Sequence, residues 1–396
     1  MRGKNIVIVG QQPWDTELGS NCKDIALEFS KQNTVLYVNS PLDRISSLRY
    51  KNNPNIKRRK EVIAGKQNGL VQIGENIWNL YPDCLVESIN WLDNTYLFSK
   101  INRINNRRFA KSIKKALAIL NFDDYILFND NEIIKCFYLK EYLSPRISMY
   151  YSRDFIVASP YWKKHGNWLE PLIIAKNDLC FANSIYLMNY CKQYNSNSYY
   201  VGQGFDRRLF NNDKKSLIED LQGLTRPIVG YIGVLHSTRL SIDILEHIAR
   251  SKPDWTLVLV GPEDKEFEKS RLHEMSNVIF VGMKPMEVLP AYINMFDVCI
   301  NPQFLTPLTV GNYPRKVDEY LAMGKPVVAS ITHAMEMFSE YTYLTNTKEE
   351  YIELISLAIS EDNDELREKR KQFTAQHTWE NSVNCIYEEI QRFITR

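Results

Sequence analysis

The sequence lacks the signatures of several large function classes. No G-x-G-x-x-G follows its first strand-like run, which leads instead into "GQQPWDTELGSN", and no G-x-x-x-x-G-K-[ST] phosphate loop occurs. A G-x-S-x-G elbow is also missing, and no His/Cys group has metal-ligand spacing. Seven cysteines stand at 22, 84, 136, 180, 191, 299 and 385, and none forms a C-x-x-C pair. That scatter argues against a disulfide framework or a zinc site and fits a reducing cytoplasm. No run approaches the roughly 18 apolar residues of a membrane-spanning helix. The N-terminal "IVIVG" is too short for the core of a signal peptide and reads as a strand. Excess charge of one sign is absent too: 49 Lys plus Arg against 47 Asp plus Glu gives a net charge of +2. Nothing in that balance points to nucleic acid. The one D-x-D triplet, Asp362 to Asp364 in "SEDNDELREKR", reads as a solvated helix start rather than a metal site.

What is present describes a soluble globular protein of 396 residues, 44% hydrophobic and 24% charged, and the length predicts two domains. Strand-like runs alternate with helical segments: "IVIVG" at 6, "VLYVN" at 35, "YILFND" at 125, "ISMYYS" at 147 and "LCFANS" at 179. After the polar "RLFNNDKKSLIEDLQGLTRP" the pattern restarts with "IVGYIG" at 228, "TLVLVG" at 256, "VIFVG" at 278, "VCINPQ" at 298 and "PVVAS" at 326. Short β-branched runs between helices predict parallel sheets covered on both faces. The expected fold class is α/β, two doubly wound Rossmann-like domains with a ligand cleft between them. Residues 1–206 form the first domain, 207–226 a linker, 227–375 the second domain, and 376–396 a charged helix crossing back over both. Ligands of such sheets bind at the C-terminal strand edges. In the second half those edges carry Gly233, Gly261, Pro262, Gly282 and Asn301-Pro302. Glycine there lets backbone approach a ligand, or simply serves a turn.

The stretch "NYPRKVDEYLAMGKPVVAS", 312–330, reads as a helix running into a buried strand. Asn312 is placed to cap it, Pro314 suits its first turn, and Gly324 suits its C-terminal end. Val317, Tyr320 and Leu321 form its buried stripe. Lys316 and Glu319, roughly 60° apart on the helical wheel, share another side. They make either a solvent-facing i,i+3 ion pair or, with the helix N-terminus, a site for an anionic ligand bearing a hydroxylated sugar.

Taken together, the second half resembles the nucleotide-sugar-binding domain of GT-B glycosyltransferases, most like the retaining family 4 enzymes. The resemblance rests on "NVIFVGMKPMEVLPAYINMFDVCINP", "EYLAMGKPVVAS", "HTWENSV", and "VGQGFDRRLF" with Gln203 where the family has Asn. The opening "QQPWDTELGSNCKDIALEFSKQNTVLYVNSPLD" is similar to the bacterial surface-polysaccharide branch. The resemblance implies that Glu319 accepts hydrogen bonds from the nucleotide's ribose hydroxyls and that Lys316 meets its diphosphate. Gly311 stands where the family usually has a second Glu, which leaves the donor sugar to the loop of Thr309, Asn312 and Tyr313 or to backbone N–H groups. Of the family's diphosphate cations, the Lys position holds Arg239 and the Arg position holds Val234; His236, after Gly233, is placed to contact phosphate.

On the acceptor side the resemblance implies the loop Gly10 to Ser20. Trp14 and Asp15 there would contact a sugar or pack the loop, and Asp154, after "MYYSR", is either an active-site carboxylate or a helix cap. The helical stretch at 101–116 carries Arg103, Arg107, Arg108, Lys111, Lys114 and Lys115 with aromatics nearby. That face suits anionic lipid or plain solvation.

The expected activity is therefore transfer of a sugar from a nucleotide diphosphate sugar, UDP- or GDP-linked, to a glycan or lipid-linked glycan. Retention, no metal, no cofactor beyond the donor and a cytoplasmic location, either free or peripheral on the inner membrane face, are expected with it. The catalytic set would be Arg239, Lys316 and Asp154. The alternatives are a non-catalytic nucleotide-sugar-binding protein and a 2-epimerase of the same fold; the latter needs paired carboxylates that the sequence does not show.

Overall fold

Each β-branched run read in the sequence lies in a strand, and alternate residues face opposite layers of helix. The structure is a computed structural model that describes residues 1–15, 20–210, 218–307 and 309–395. In the N-terminal part the strands are β1 (Asn5–Gly10), β2 (Thr34–Val38), β3 (Leu42–Asp43), β4 (Leu70–Gly74), β5 (Ile77–Leu80), β6 (Leu85–Val86), β7 (Tyr125–Asp130), β8 (Ile147–Ser152), β9 (Leu179–Ala182) and β10 (Ser198–Tyr200). Eight of them form one sheet in the order β10-β9-β8-β7-β1-β2-β5-β4, parallel except for the β4–β5 pair, while β3 and β6 pair separately. Val7, Val9, Leu36 and Val38 pack on Phe109, Ile113 and Leu117 of the helix Thr95–Leu120. Each such fully buried side chain contributes about 1.5–3 kcal/mol.

The C-terminal part repeats the plan with β11 (Ile228–Ile232), β12 (Thr256–Val260), β13 (Val278–Gly282), β14 (Val298–Asn301), β15 (Val327–Ser330) and β16 (Tyr343–Thr345), ordered β13-β12-β11-β14-β15-β16 and parallel throughout. Ile228, Ile232, Val258 and Val327 face one layer, which includes Val317, Tyr320 and Leu321. Val229, Tyr231, Leu257 and Val328 face the other, which includes Ile248, Tyr351 and Ile355.

Two compact units result. One comprises residues 1–202 together with 382–395; the other comprises 203–381. The first unit is thus discontinuous: Tyr387, from helix Trp379–Ile394, packs on Phe29 at 5.6 Å and accepts a hydrogen bond from Asn33 Nδ2 at 2.8 Å. The expected linker at 207–226 is not a separate segment where it is described. Phe210 and Leu221 are buried in the second unit's core, because both are large apolar side chains with a sheet face to cover. The helix in the 312–330 stretch begins later than the sequence suggested, at Arg315–Ala322, with Pro314 rather than Asn312 at the cap position. Tyr313, which precedes a proline, is disfavoured in helical conformation. Gly324 follows the helix with φ 75°, the left-handed turn only glycine adopts readily.

Candidate functional site

In the C-terminal unit the strand ends bring β11, β12 and helix Arg315–Ala322 together. Gly233 and Gly261 follow β11 and β12 with φ of 143° and 149°, and a β-carbon on Gly261 would lie 1.9 Å from the Gly233 carbonyl oxygen. Both positions therefore require glycine. A β-carbon on Gly233 would meet the Lys316 ammonium at 2.8 Å. That ammonium donates to the Tyr231 hydroxyl and sits 4.1 Å from its ring centroid, a cation–π contact. Tyr320, one helical turn on, accepts a hydrogen bond from the Ile232 backbone N–H at 2.8 Å and fixes the helix to the end of β11. Lys316 is in no carboxylate ion pair among the described residues.

Glu319 is mostly buried and pairs with Arg315 one turn back (3.2 Å) rather than with Lys316, since i,i+4 places them side by side. Burial pushes its carboxyl up to about 7, against the pull of Arg315 and Lys316. Asp318, beside it, is fully buried and was not singled out from the sequence. It accepts from the Tyr313 hydroxyl at 2.6 Å and lies 2.6 Å from His377 Nδ1, so it ties the loop before the helix to the segment after Thr374. Burial holds its carboxyl above the usual range even so. The only sequence signal for it was an acid adjoining the apolar stripe.

The other expected donor-site residues occupy varied positions. His236 Nδ1 lies 2.9 Å from the Thr238 hydroxyl and 3.4 Å from Asp264, whose Oδ2 also accepts from Ser237. The exposed Arg239 uses its carbonyl to accept from the Phe304 N–H (2.9 Å). The Thr309 hydroxyl, almost fully buried, donates to the Phe304 carbonyl and is used by its own loop. Asn312 is partly buried, and its Oδ1 has no partner among the described residues. Gly311 is buried in that same loop. The Pro262 carbonyl accepts from Leu235 N–H at 2.9 Å, fastening the two glycine loops to each other. Gly282, at the end of edge strand β13 and paired with Val260, has open space beside it and is one strand removed from the glycine pair.

In the N-terminal unit, Gly10 closes β1 so tightly that a β-carbon would lie 3.0 Å from Asp130. Trp14 packs edge-on to Tyr37 (5.1 Å), and its backbone N–H donates to Asn39 Oδ1. Asp15 is held by the Arg59 guanidinium at 2.8 and 3.1 Å. Residues 16–19 of the expected acceptor loop lie outside the described residues. Asp154 does not cap a helix. It stays partly exposed beside Arg153 (2.9 Å), whose guanidinium also grips the fully buried Asp130 at 2.9 Å.

Comparison with known proteins bears on this geometry. A family described as "Glycosyl transferases group 1" matches residues 226–360. The chain is 28% identical over 203 residues to the putative teichuronic acid biosynthesis glycosyltransferase TuaH of Bacillus subtilis (strain 168), and the alignment spans 49% of each protein. Among solved structures, sucrose-phosphate synthase from Thermosynechococcus elongatus superposes with a TM-score of 0.70 at 15% identity, covering 99% of this chain and 100% of that one. Anabaena Alr3699/HepE in complex with UDP and glucose gives 0.63 at 15% identity, over 98% and 99%. An α,α-trehalose-phosphate synthase (UDP-forming) from Burkholderia vietnamiensis gives 0.71 at 10% identity, over 99% and 98%. Residues 226–360 thus match the group 1 glycosyl transferase family, and along its length the chain has the GT-B fold.

Proposed function

We propose that the protein transfers a sugar from a nucleotide diphosphate sugar to a glycan or lipid-linked glycan of the bacterial surface, with retention and without a metal ion. The observation that carries this reading is the Lys316 ammonium, set beside Gly233 where β11 and β12 end and free of any carboxylate ion pair among the described residues. A diphosphate there would meet backbone that no β-carbon obstructs, one fixed cation, and the exposed charge of Arg239. As the glycosidic bond breaks, charge grows on the leaving phosphate oxygen, and a cation already held by Tyr231 stabilises it without reorganising. Glu319 would exchange its Arg315 contact for the ribose hydroxyls. Front-face attack by the acceptor hydroxyl would give retention, with the departing phosphate taking the proton. UDP is the first nucleotide to try, since UDP and glucose occupy the Alr3699/HepE structure.

Arg103, Arg107, Arg108, Lys111, Lys114 and Lys115 are all exposed on helix Thr95–Leu120. Contact of this face with anionic lipid, at about 1 kcal/mol per basic residue, would bring a lipid-linked acceptor near. No helix among the described residues is long and apolar enough to cross a membrane.

The test is thermal melting against UDP, GDP, CMP, dTDP and ADP without added metal, beside Lys316→Met and Glu319→Ala. One nucleotide should raise the melting temperature by mass action. Lys316→Met should weaken its binding by about tenfold or more, the worth of a charge-assisted hydrogen bond, with little change in the melting temperature of the free protein. No shift with any nucleotide overturns the reading.

A further inference from the structure

The N-terminal unit encloses a cavity of about 650 Å³, walled by the segments around β3, β6 and β7 and by the start of helix Pro160–Lys176. Most polar groups along it are already engaged by the fold. Asp43 caps helix Arg44–Arg49 and accepts from Ser46 and Ser88, and Glu87 is held by Arg44 and Arg108. Four groups are not fully used. Glu132, 3% exposed, accepts the backbone N–H groups of Ile134 (2.9 Å) and Lys135 (3.0 Å) through Oε1, and its Oε2 has no partner among the described residues. Asn102, 1% exposed, accepts from Asn106 through Oδ1, and its Nδ2 donates to none of them. Asn90 donates to the Tyr161 carbonyl, leaving a buried Oδ1 unpartnered. Lys135 Nζ reaches only the Ser40 hydroxyl, at 2.9 Å, and makes no ion pair among the described residues.

A buried polar atom left unmatched, as Asn90 Oδ1 is, costs about 1–3 kcal/mol, and its meeting in one cavity with spare polar atoms of Glu132, Asn102 and Lys135 marks a place suited to a ligand. The side chains of Trp91 and Tyr161 stand exposed at the rim; the Trp91 indole N–H is anchored on the Ser88 carbonyl and its own carbonyl on Lys164. Partial burial of its hydroxyl, with the charges of Glu132 and Asp43, raises Tyr161 above its usual range. Arg49 adds a second cation with no ion pair among the described residues.

We infer that this cavity binds a sugar ring that carries, or is linked to, a carboxylate or phosphate. Sugar hydroxyls would donate to Glu132 and Asn90 and accept from Asn102, an aromatic face would cover the ring, and Lys135 with Arg49 would hold the anion. That this sugar is the acceptor rests on the transferase reading; that it binds does not.

Saturation-transfer NMR on the full chain, with methyl glucoside, methyl glucuronide and glucose 1-phosphate as probes, tests the inference. At least one anionic sugar should bind about tenfold more tightly than the neutral glucoside, and Lys135→Gln should erase that preference. Glu132→Gln keeps the acceptor for Ile134 and Lys135 and should weaken all three probes, while the nucleotide melting shift stays as in the unmodified protein. A preference for the glucuronide identifies a uronic acid unit of a polymer; a preference for the 1-phosphate identifies a phosphate-linked carrier. Absence of binding by all three, or an anionic preference that survives Lys135→Gln, overturns the inference. Anionic-sugar binding without any nucleotide shift would uphold it and overturn the transferase reading alone.

Discussion

The two units finish their strands with different chemistry. In the C-terminal unit the ends of β11 and β12 are glycines whose loops touch, and one lysine stands over them. In the N-terminal unit the ends of β7 and β8 are crowded with side chains: Asp130 is locked to Arg153, and Asn131 (φ 53°) accepts the N–H groups of Arg153 and Asp154. Asn131 also donates to Tyr150, whose hydroxyl donates to the buried Glu170. One unit thus offers bare backbone, suited to a phosphate that must come close. The other offers a fixed set of polar side chains, suited to telling one hydroxyl from another.

The sharpest way to break the contrast is Arg153→Met. It leaves the Asp130 carboxylate buried without its cation, and denaturant unfolding should show a loss of about 3–5 kcal/mol in the N-terminal unit. Gly261→Ala attacks the other side: its β-carbon has no room beside Gly233 and its φ of 149° is strained for alanine. We expect about 1–3 kcal/mol of lost stability together with lost nucleotide response in melting experiments. A smaller effect concerns pH. Burial lifts both Glu319 and Glu170 from 4.5 to about 7, so their contribution to stability is full below pH 4.5 and is lost as pH rises through 7. Under the proposed function, ribose recognition by ionised Glu319 would have the opposite slope. Affinity for whichever nucleotide raises the melting temperature, followed by calorimetry, should rise by about tenfold from pH 6 to pH 8 and flatten in Glu319→Gln.

The long strands were legible because a strand buried on both faces needs an unbroken β-branched run, as in "IVIVG" and "TLVLV". The antiparallel β4–β5 pair was not legible: β4 is partly exposed, and the two strands mix Gln, Asn and Gly with apolar residues. Lys316 and Glu319 were readable from one helix and its flanks. The Arg315 partner of Glu319 lay within reach of the same helical wheel, but the Asp318–His377 contact joins residues 59 positions apart, which no local periodicity reports. The cavity in the N-terminal unit is invisible in sequence for the same reason, since its walls come from six separated segments and its chemistry lies in which hydrogen bonds are left over.

The discontinuity of the first unit also sets an order of events during synthesis. Its last stretch, 382–395, leaves the ribosome only after the whole of 203–381 has been made. Until then Phe29 lacks the ring of Tyr387 and Asn33 lacks its hydroxyl partner, so the second unit is free to fold first although it is translated later. A nascent chain stalled before residue 382 should therefore expose an apolar surface on its N-terminal half, and that is where a chaperone would find it.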